Sequence, residues 1–519
     1  MSQQPLILPF DPAGIALDRR RGLSQQLYQA LRARVLDGRL SSGTRLPATR
    51  DLAGMLALSR NSVVRAYDQL YAEGYIESRV GDGTYVSQLP KLSTQVSTGL
   101  SLGLSTGLST FSVGNTDDLS SDRRLSEPLQ RLKSGHLPSP RSGAPRAFRV
   151  GIPAFDLFPF DVWAKLQAGF WRNPSPEQLG YGDPAGEPAL RELIAAYLRR
   201  SRGLSCTAEQ IVITSGAQQA ISLCAQLLLQ PGDGVAVENP GYRAAGHAFT
   251  LAGGRVFGVP VDEDGMDCGR LEQRPDCRLA YVTPAHQYPT GVTMSLARRL
   301  ALLAWAERSD GWVIEDDYDG EYRYSGTPLA PLAALDRQGR VLYVGTFCKI
   351  AFPALRLGYL VVPPALVERF RQRRAIEVRH SEVGTQRVMA DFIAEGHFQR
   401  HVRRMRRAAR ARRDALLRGW PEAPGCQPLP AVEAGLHLCV RVDSLARERA
   451  LIAAAAAAGV EVSALSDYWM DDSSVAPDDR AGLVLGFAAV PEARIDEALR
   501  ALRKAWRREA LVGPVVATD

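Results

Sequence analysis

The sequence predicts a multidomain chain: an N-terminal winged helix-turn-helix, a mostly parallel α/β domain and a smaller α+β part at the C-terminus. Three observations predict it. Short helical patterns ending in a hairpin signal fill the residues before Gln88, a Ser/Gly-rich stretch follows, and from Phe148 onward short apolar runs alternate with helical patterns. A length of 519 residues fits several domains rather than one. The expected bounds are 20–88 for the winged domain, 89–146 for a linker, 147–362 for the large domain and 363–519 for the small one.

From Leu23 to Leu36, the residues Leu27, Leu31, Val35 and Leu36 recur at helical spacing, and Gly38 ends the helix. A second helix is expected to begin near Pro47, a favoured first-turn residue, and to run through Leu52 to Leu56. After Leu58-Ser59 a third helix carries Val63, Val64, Tyr67, Leu70 and Tyr71 on one face and stops at Gly74. Two strands, Tyr75–Arg79 and Thr84–Ser87, flank the turn signal Asp82-Gly83.

Between Gln88 and Arg146, Ser97-Thr98-Gly99-Leu100-Ser101 nearly repeats at Ser105-Thr106-Gly107-Leu108-Ser109. Such composition buries too little apolar surface to offset its ordering entropy. As a coil it would span roughly 40 Å. The strands expected beyond it are Ile211–Thr214, Gly234–Val237, Leu279–Val282, Trp312–Ile314 and Val341–Val344. After about Val362 the chain becomes helical and arginine-rich, then returns to strands near Leu436–Val440 and Leu483–Phe487.

Seven scattered cysteines without a Cys-x-x-Cys pair argue for reduced thiols in a cytoplasm and against a disulfide framework or a structural zinc site. No apolar run reaches membrane-spanning length, and Met1–Phe10 lacks the pattern of a secretory signal. A net charge of +7 permits nucleic-acid binding without requiring it.

The third helix carries Arg60, Asn61, Ser62 and Arg65 at or near its start, where a recognition helix meets base edges. Arg45 and Arg50 suit phosphate contacts, and Gly83 lets the wing backbone approach closely. The expected partner is double-stranded promoter DNA. Farther on, Lys349 follows an apolar strand, with Thr346 three residues before it and Arg356 seven after. A lysine that condenses with an aldehyde cofactor needs such a desolvated setting, with donors nearby for a phosphate. The run from His397 to Arg413 reads as a solvated helix face with Phe398, Val402 and Met405 on the core side; a second phosphate-contacting surface is the other reading. His437 has no evident partner and reads as structural.

The segments Gly43–Ala53, Ser59–Val63 and Gly81–Val86 resemble the GntR family of bacterial regulators over the whole winged domain. From about Phe148 onward the chain resembles the fold-type I pyridoxal-phosphate enzymes of the aspartate aminotransferase group. That resemblance implies pyridoxal 5′-phosphate as cofactor and gives roles to this chain's residues. Gly216, Ala217 and Gln218 would open a helix against the phosphate, with Thr346 and Arg356 completing that site. Tyr242 would stack on the pyridine, Asp316 would pair with its protonated nitrogen, Tyr318 would reach the phenolic oxygen, and Lys349 would form the Schiff base. Glu315 and Asp317 stand beside Asp316, and the sequence alone leaves open which acid serves.

Two departures refine the resemblance. Aminotransferases commonly show Asn-Pro-Thr-Gly, whereas this chain has His286-Gln287-Tyr288-Pro289-Thr290-Gly291, with tyrosine in the asparagine's place. That motif resembles the MocR/GabR regulators, which fuse a GntR-type domain to an aminotransferase-like one. In Val484-Leu485-Gly486-Phe487, valine stands where aminotransferases carry the arginine that anchors a substrate carboxylate, and Arg480 is merely near. The resemblance implies a homodimeric regulator, not primarily an enzyme, with residual half-transamination open to it. It would sense pyridoxal phosphate itself, an amine or an amino acid, and control vitamin B6 or amino-compound metabolism. The rival readings are a working aminotransferase with a DNA-binding appendage and a repressor whose pocket has lost its cofactor.

Overall fold

The computed structural model describes residues 15, 17–18, 22–79, 82–87, 143–324, 329–421, 423, 425–470 and 475–512. Two compact units divide between Phe111 and Ser112. Of the segment read as a linker, only residues 143–146 lie among those described, and Val80 and Gly81 of the wing turn lie outside them.

In the N-terminal unit, helix α1 (Leu23–Leu36) has the bounds its periodicity predicts. Strand β1 (Arg45–Leu46) was not foreseen; it pairs antiparallel with the wing, Arg45 opposite Tyr85. A residue preceding proline is pushed toward extended backbone, so Leu46 stays in the strand. Helix α2 (Thr49–Met55) therefore starts two residues after Pro47 rather than at it, and the Pro47 carbonyl accepts a hydrogen bond from the Tyr67 hydroxyl at 2.9 Å. In α3 (Arg60–Ala72) the buried stripe is Val63, Ala66, Tyr67 and Leu70, so Val64 falls at its edge and Tyr71, expected to pack, is 58% exposed. Strands β2 (Ile76–Arg79) and β3 (Gly83–Val86) complete a three-stranded sheet in the order β1-β3-β2. Leu27, Leu31, Leu52, Val63, Leu70 and Val86 form its core.

The second unit is built on an eight-stranded sheet of order β4-β11-β10-β9-β8-β5-β6-β7. Its strands are β4 (Ile211–Thr214), β5 (Gly234–Asn239), β6 (Arg255–Asp262), β7 (Gly265–Met266), β8 (Cys277–Val282), β9 (Trp312–Asp317), β10 (Val341–Thr346) and β11 (Gly358–Val361). Parallel pairing runs through β6, β5, β8, β9 and β10, as the apolar runs predict. Strands β6, β7 and β11 were not foreseen. Gly258 and Pro260 break up the apolar pattern of β6, and β11 has four residues inserted antiparallel between β10 and β4. Helix α4 (Ala217–Leu228) follows β4 directly.

The C-terminal residues contribute helix α5 (His397–Gly419) and a small antiparallel sheet, β12 (His437–Arg441), β14 (Gly482–Gly486) and β13 (Ser463–Ala464) in that spatial order. As expected, Phe398, Val402 and Met405 of α5 face the core. Its arginines divide. Arg400, Arg403, Arg404, Arg407 and Arg410 are exposed, whereas Arg412 is 2% exposed and bridges Asp156 (2.6 Å) to the Ala488 carbonyl (2.6 Å). The solvated face is thus real but ends before Arg412. Phe148, where this unit begins to pack, shares a core with Leu438, Met405 and Trp506 and accepts a hydrogen bond at its carbonyl from the Gly486 N–H. No helix of the described residues is long and apolar enough to cross a membrane.

Candidate functional site

The loop after β10 carries Lys349. Its carbonyl accepts from the Tyr322 hydroxyl at 2.9 Å, and the next carbonyl, that of Ile350, is bonded by His401 Nε2 at 2.7 Å. With its backbone so pinned, the lysine's amine enters a cavity of about 200 Å³ and donates to the Gly151 carbonyl at 2.9 Å. Desolvation lowers the ammonium's pKa, outweighing the nearby carboxylates. A larger neutral fraction makes the nitrogen a better nucleophile.

Strand alternation answers the question of the three acids. Glu315 turns away to cap the N–H groups of Leu332 (2.7 Å) and Ala333 (2.8 Å). Asp317 faces the same side as Glu315 and is bound by Arg202 and by the Tyr343 hydroxyl. Asp316, inside β9 rather than after it, faces the cavity. Its Oδ2 accepts from the Tyr281 hydroxyl at 2.7 Å, while Oδ1 is buried with no partner. Burial pushes this carboxyl up to about 7. A buried acceptor without a donor is costly unless a ligand supplies one.

At the opposite end, Gly216 begins α4 with φ +98°, and the Arg356 guanidinium stands 3.5 Å from where a side chain on that glycine would begin. The helix's free N–H groups, this guanidinium and Thr346 surround one spot suited to an anion. Gln218 lines the same wall, its amide donating to the Ala244 carbonyl at 2.9 Å. Tyr242 lies edge-to-face against Tyr288, centroids 6.0 Å apart. The Tyr318 hydroxyl donates to the His286 carbonyl at 2.9 Å. Every cofactor-site residue read from the sequence, namely Gly216, Ala217, Gln218, Tyr242, Asp316, Tyr318, Thr346, Lys349 and Arg356, lines this one cavity.

His437 corrects the sequence reading. It has a partner: Nε2 lies 3.1 Å from the Pro289 carbonyl, and the ring is stacked near Tyr318 and 4.7 Å from the ring of His286. His286 Nδ1 in turn lies 3.0 Å from Asp319. These three buried groups bring ligand-type atoms within 4.8 Å of one another, and of the three His437 lines the cavity. They come from segments far apart in sequence, so no spacing announces them. Arg480 bonds the Val475 carbonyl at 2.9 Å and is absent from the described lining, and Val484 is fully buried beside Cys439 and Leu465.

In the N-terminal unit, Ser59 caps α3 by accepting from the Ser62 N–H at 3.2 Å. Arg60, Asn61 and Arg65 are exposed on that helix, and so are Arg45 and Arg50. Ser62 is less free than they are, its hydroxyl 2.9 Å from that of Ser59. Gly83, at φ +126°, sits against Arg45, with a Cβ position 3.0 Å from Nε.

The family model "Aminotransferase class I and II" matches residues 148–502, and "Bacterial regulatory proteins, gntR family" matches residues 23–86. The chain is 36% identical over 495 residues to the probable rhizopine catabolism regulatory protein MocR of Rhizobium meliloti, covering 93% of this chain and 94% of that one. It is 32% identical to the pyridoxine biosynthesis transcriptional regulator PdxR of Corynebacterium glutamicum, over 90% and 92% of the two chains. Among solved structures, the kynurenine aminotransferase of Pyrococcus horikoshii aligns with a TM-score of 0.65 at 28% identity, covering 75% of this chain and 98% of that one. The cavity fits pyridoxal 5′-phosphate, the cofactor of this class: an anion cradle, a desolvated amine, and a carboxylate oxygen left over for a cationic ring nitrogen. The chain belongs to the MocR-type family of bacterial transcription regulators, in which a gntR-family DNA-binding domain is joined to a class I and II aminotransferase domain.

Proposed function

We propose that this DNA-binding regulator reads pyridoxal 5′-phosphate, or an amine reacting with it, in its aminotransferase-like cavity, and that the outcome changes its grip on promoter DNA. The observation that carries this reading is the unpartnered Oδ1 of Asp316, buried in the same cavity as a desolvated lysine. When bound, the cofactor supplies an aldehyde that condenses with primary amines and a ring that withdraws electrons. Lys349 would offer the amine, Asp316 would pair with the protonated ring nitrogen, and Tyr318 would reach toward the phenolic oxygen. Gly216, Ala217, Gln218, Thr346 and Arg356 hold the phosphate, and Tyr242 covers the ring.

On the other unit, Arg60, Asn61, Ser62 and Arg65 approach base edges while Arg45, Arg50 and the wing at Gly83 hold phosphates. The protein acts as a cytoplasmic homodimer, is not primarily an enzyme, and controls vitamin B6 or amino-compound genes. Two relatives, named for pyridoxine biosynthesis and rhizopine catabolism, support that range. A ligand alters DNA affinity only through differential affinity for two states of the protein.

The test is Lys349→Ala. It is expected to abolish the visible absorbance of lysine-bound cofactor and the borohydride-fixed label on the peptide carrying Lys349, while the winged domain stays folded. Unchanged absorbance overturns the site. Steady turnover of an amino acid with a 2-oxo acid would favour the enzyme reading instead.

A further inference from the structure

Among the described residues lining the cavity, the only lysine or arginine side chains are Lys349 and Arg356. Arg356 stands at the N-terminus of α4 beside Gly216, the end suited to a phosphate. One guanidinium already faces a dianion there, and it has no charge to spare for a second anion.

The wall away from that end is aromatic and neutral. Tyr288 meets Tyr318 at 5.7 Å, His437 at 5.4 Å and Tyr468 at 5.3 Å, each edge-to-face. His437 bonds a carbonyl through Nε2, and a carbonyl only accepts, so Nε2 carries the proton and Nδ1 presents a lone pair. Burial and the neighbouring His286 also hold this imidazole neutral. Strand β14, which could bring a charge to this wall, has Val484 packed among apolar neighbours.

We propose that the effector taken by this cavity is a primary amine with an apolar or aromatic body and no carboxylate. The proposal rests on the reading of the cavity as an amine sensor. Among the described residues of this chain, a carboxylate set against Tyr288 and His437 would have no lysine or arginine beyond the two that serve the cofactor, so its buried charge would lack a counter-ion there. An arene or alkyl chain there gains edge-to-face contacts and loses water. The exchange is balanced: the incoming nitrogen replaces that of Lys349 on the cofactor's aldehyde carbon, Lys349 leaves as a free amine, and no oxidant or reductant takes part.

The full-length protein loaded with pyridoxal phosphate should be titrated with 2-phenylethylamine against phenylalanine, and with 3-methylbutylamine against leucine. Visible absorbance and retention of upstream promoter DNA are the two readouts. In each pair the amine is expected to act at a concentration at least about tenfold lower, equivalent to about 1.4 kcal/mol. Equal or better response to the amino acids overturns the inference, and so does a spectrum and gel shift unmoved by either class. In both cases the colour formed with the cofactor alone leaves the sensor site standing. A protein that gains no colour from pyridoxal phosphate overturns the sensor reading itself and this inference with it.

Discussion

Asp316 concentrates the chemistry of the cavity at the scale of one residue. Its carboxyl, raised by burial to about 7, is neutral over much of the acid range when nothing cationic faces it. The folded-state value lies above the unfolded one, so the stability it contributes is complete below 3.8 and is lost as pH rises through about 7. Asp316→Asn keeps the acceptor for Tyr281 and cannot ionise. The cofactor-free variant should therefore melt at a higher temperature than the wild type at pH 8, with the difference gone near pH 4. The same change removes the counter-charge of a ring cation, so cofactor affinity should fall by roughly tenfold or more. A variant that melts like the wild type at pH 8 and binds cofactor as well would count against the assigned role. The sequence placed three acids side by side without saying which one faced inward. Only pairing on both edges of β9 decides it, because alternate residues then face opposite sides of the sheet.

Among elements, α3 and the wing carry the DNA-binding prediction. Removing the cap with Ser59→Ala should lower the stability of the N-terminal unit by about 1 kcal/mol, seen in thermal melts. Arg65→Ala should weaken promoter binding and relax the base preference at the position it reads, whereas Arg50→Ala should flatten the salt dependence by about one unit in log–log slope. Neither change should bleach the cofactor absorbance. The helices of this unit were legible because each buries one stripe at 3.6-residue spacing, and α1 fell where its leucines put it. Strand β1 was not, since two residues carry no periodicity; its signal lay in the proline that follows Leu46. Strand β11 was hidden for a related reason, since four residues are too few to show a period. The cavity residues tied to a strand end or helix start were readable, whereas His286, Asp319 and His437 meet only through the tertiary fold.

For the whole molecule, the separation into two compact units has a thermodynamic signature. A ligand stabilises only the unit that binds it, by about 2.7 kcal/mol at a hundredfold excess over Kd. Calorimetry should resolve two transitions, of which pyridoxal phosphate shifts only the one belonging to residues after Ser112. In Lys349→Ala that shift should shrink while the other transition stays in place. A single transition that moves as one would show the units to be energetically inseparable.

The bond from the Lys349 amine to the Gly151 carbonyl has a reach beyond the cavity. Residues 143 to 151 are the first described stretch after the N-terminal unit, and a polypeptide offers one covalent route between its parts. Near its end that stretch is laced to β14 through Phe148, and its last residue is latched to the lysine. Once the nitrogen is engaged on another atom, Gly151 must find a new donor or swing free. Whatever the lysine is bonded to is therefore felt first at Gly151, three residues after the Phe148 carbonyl that ties this stretch to β14.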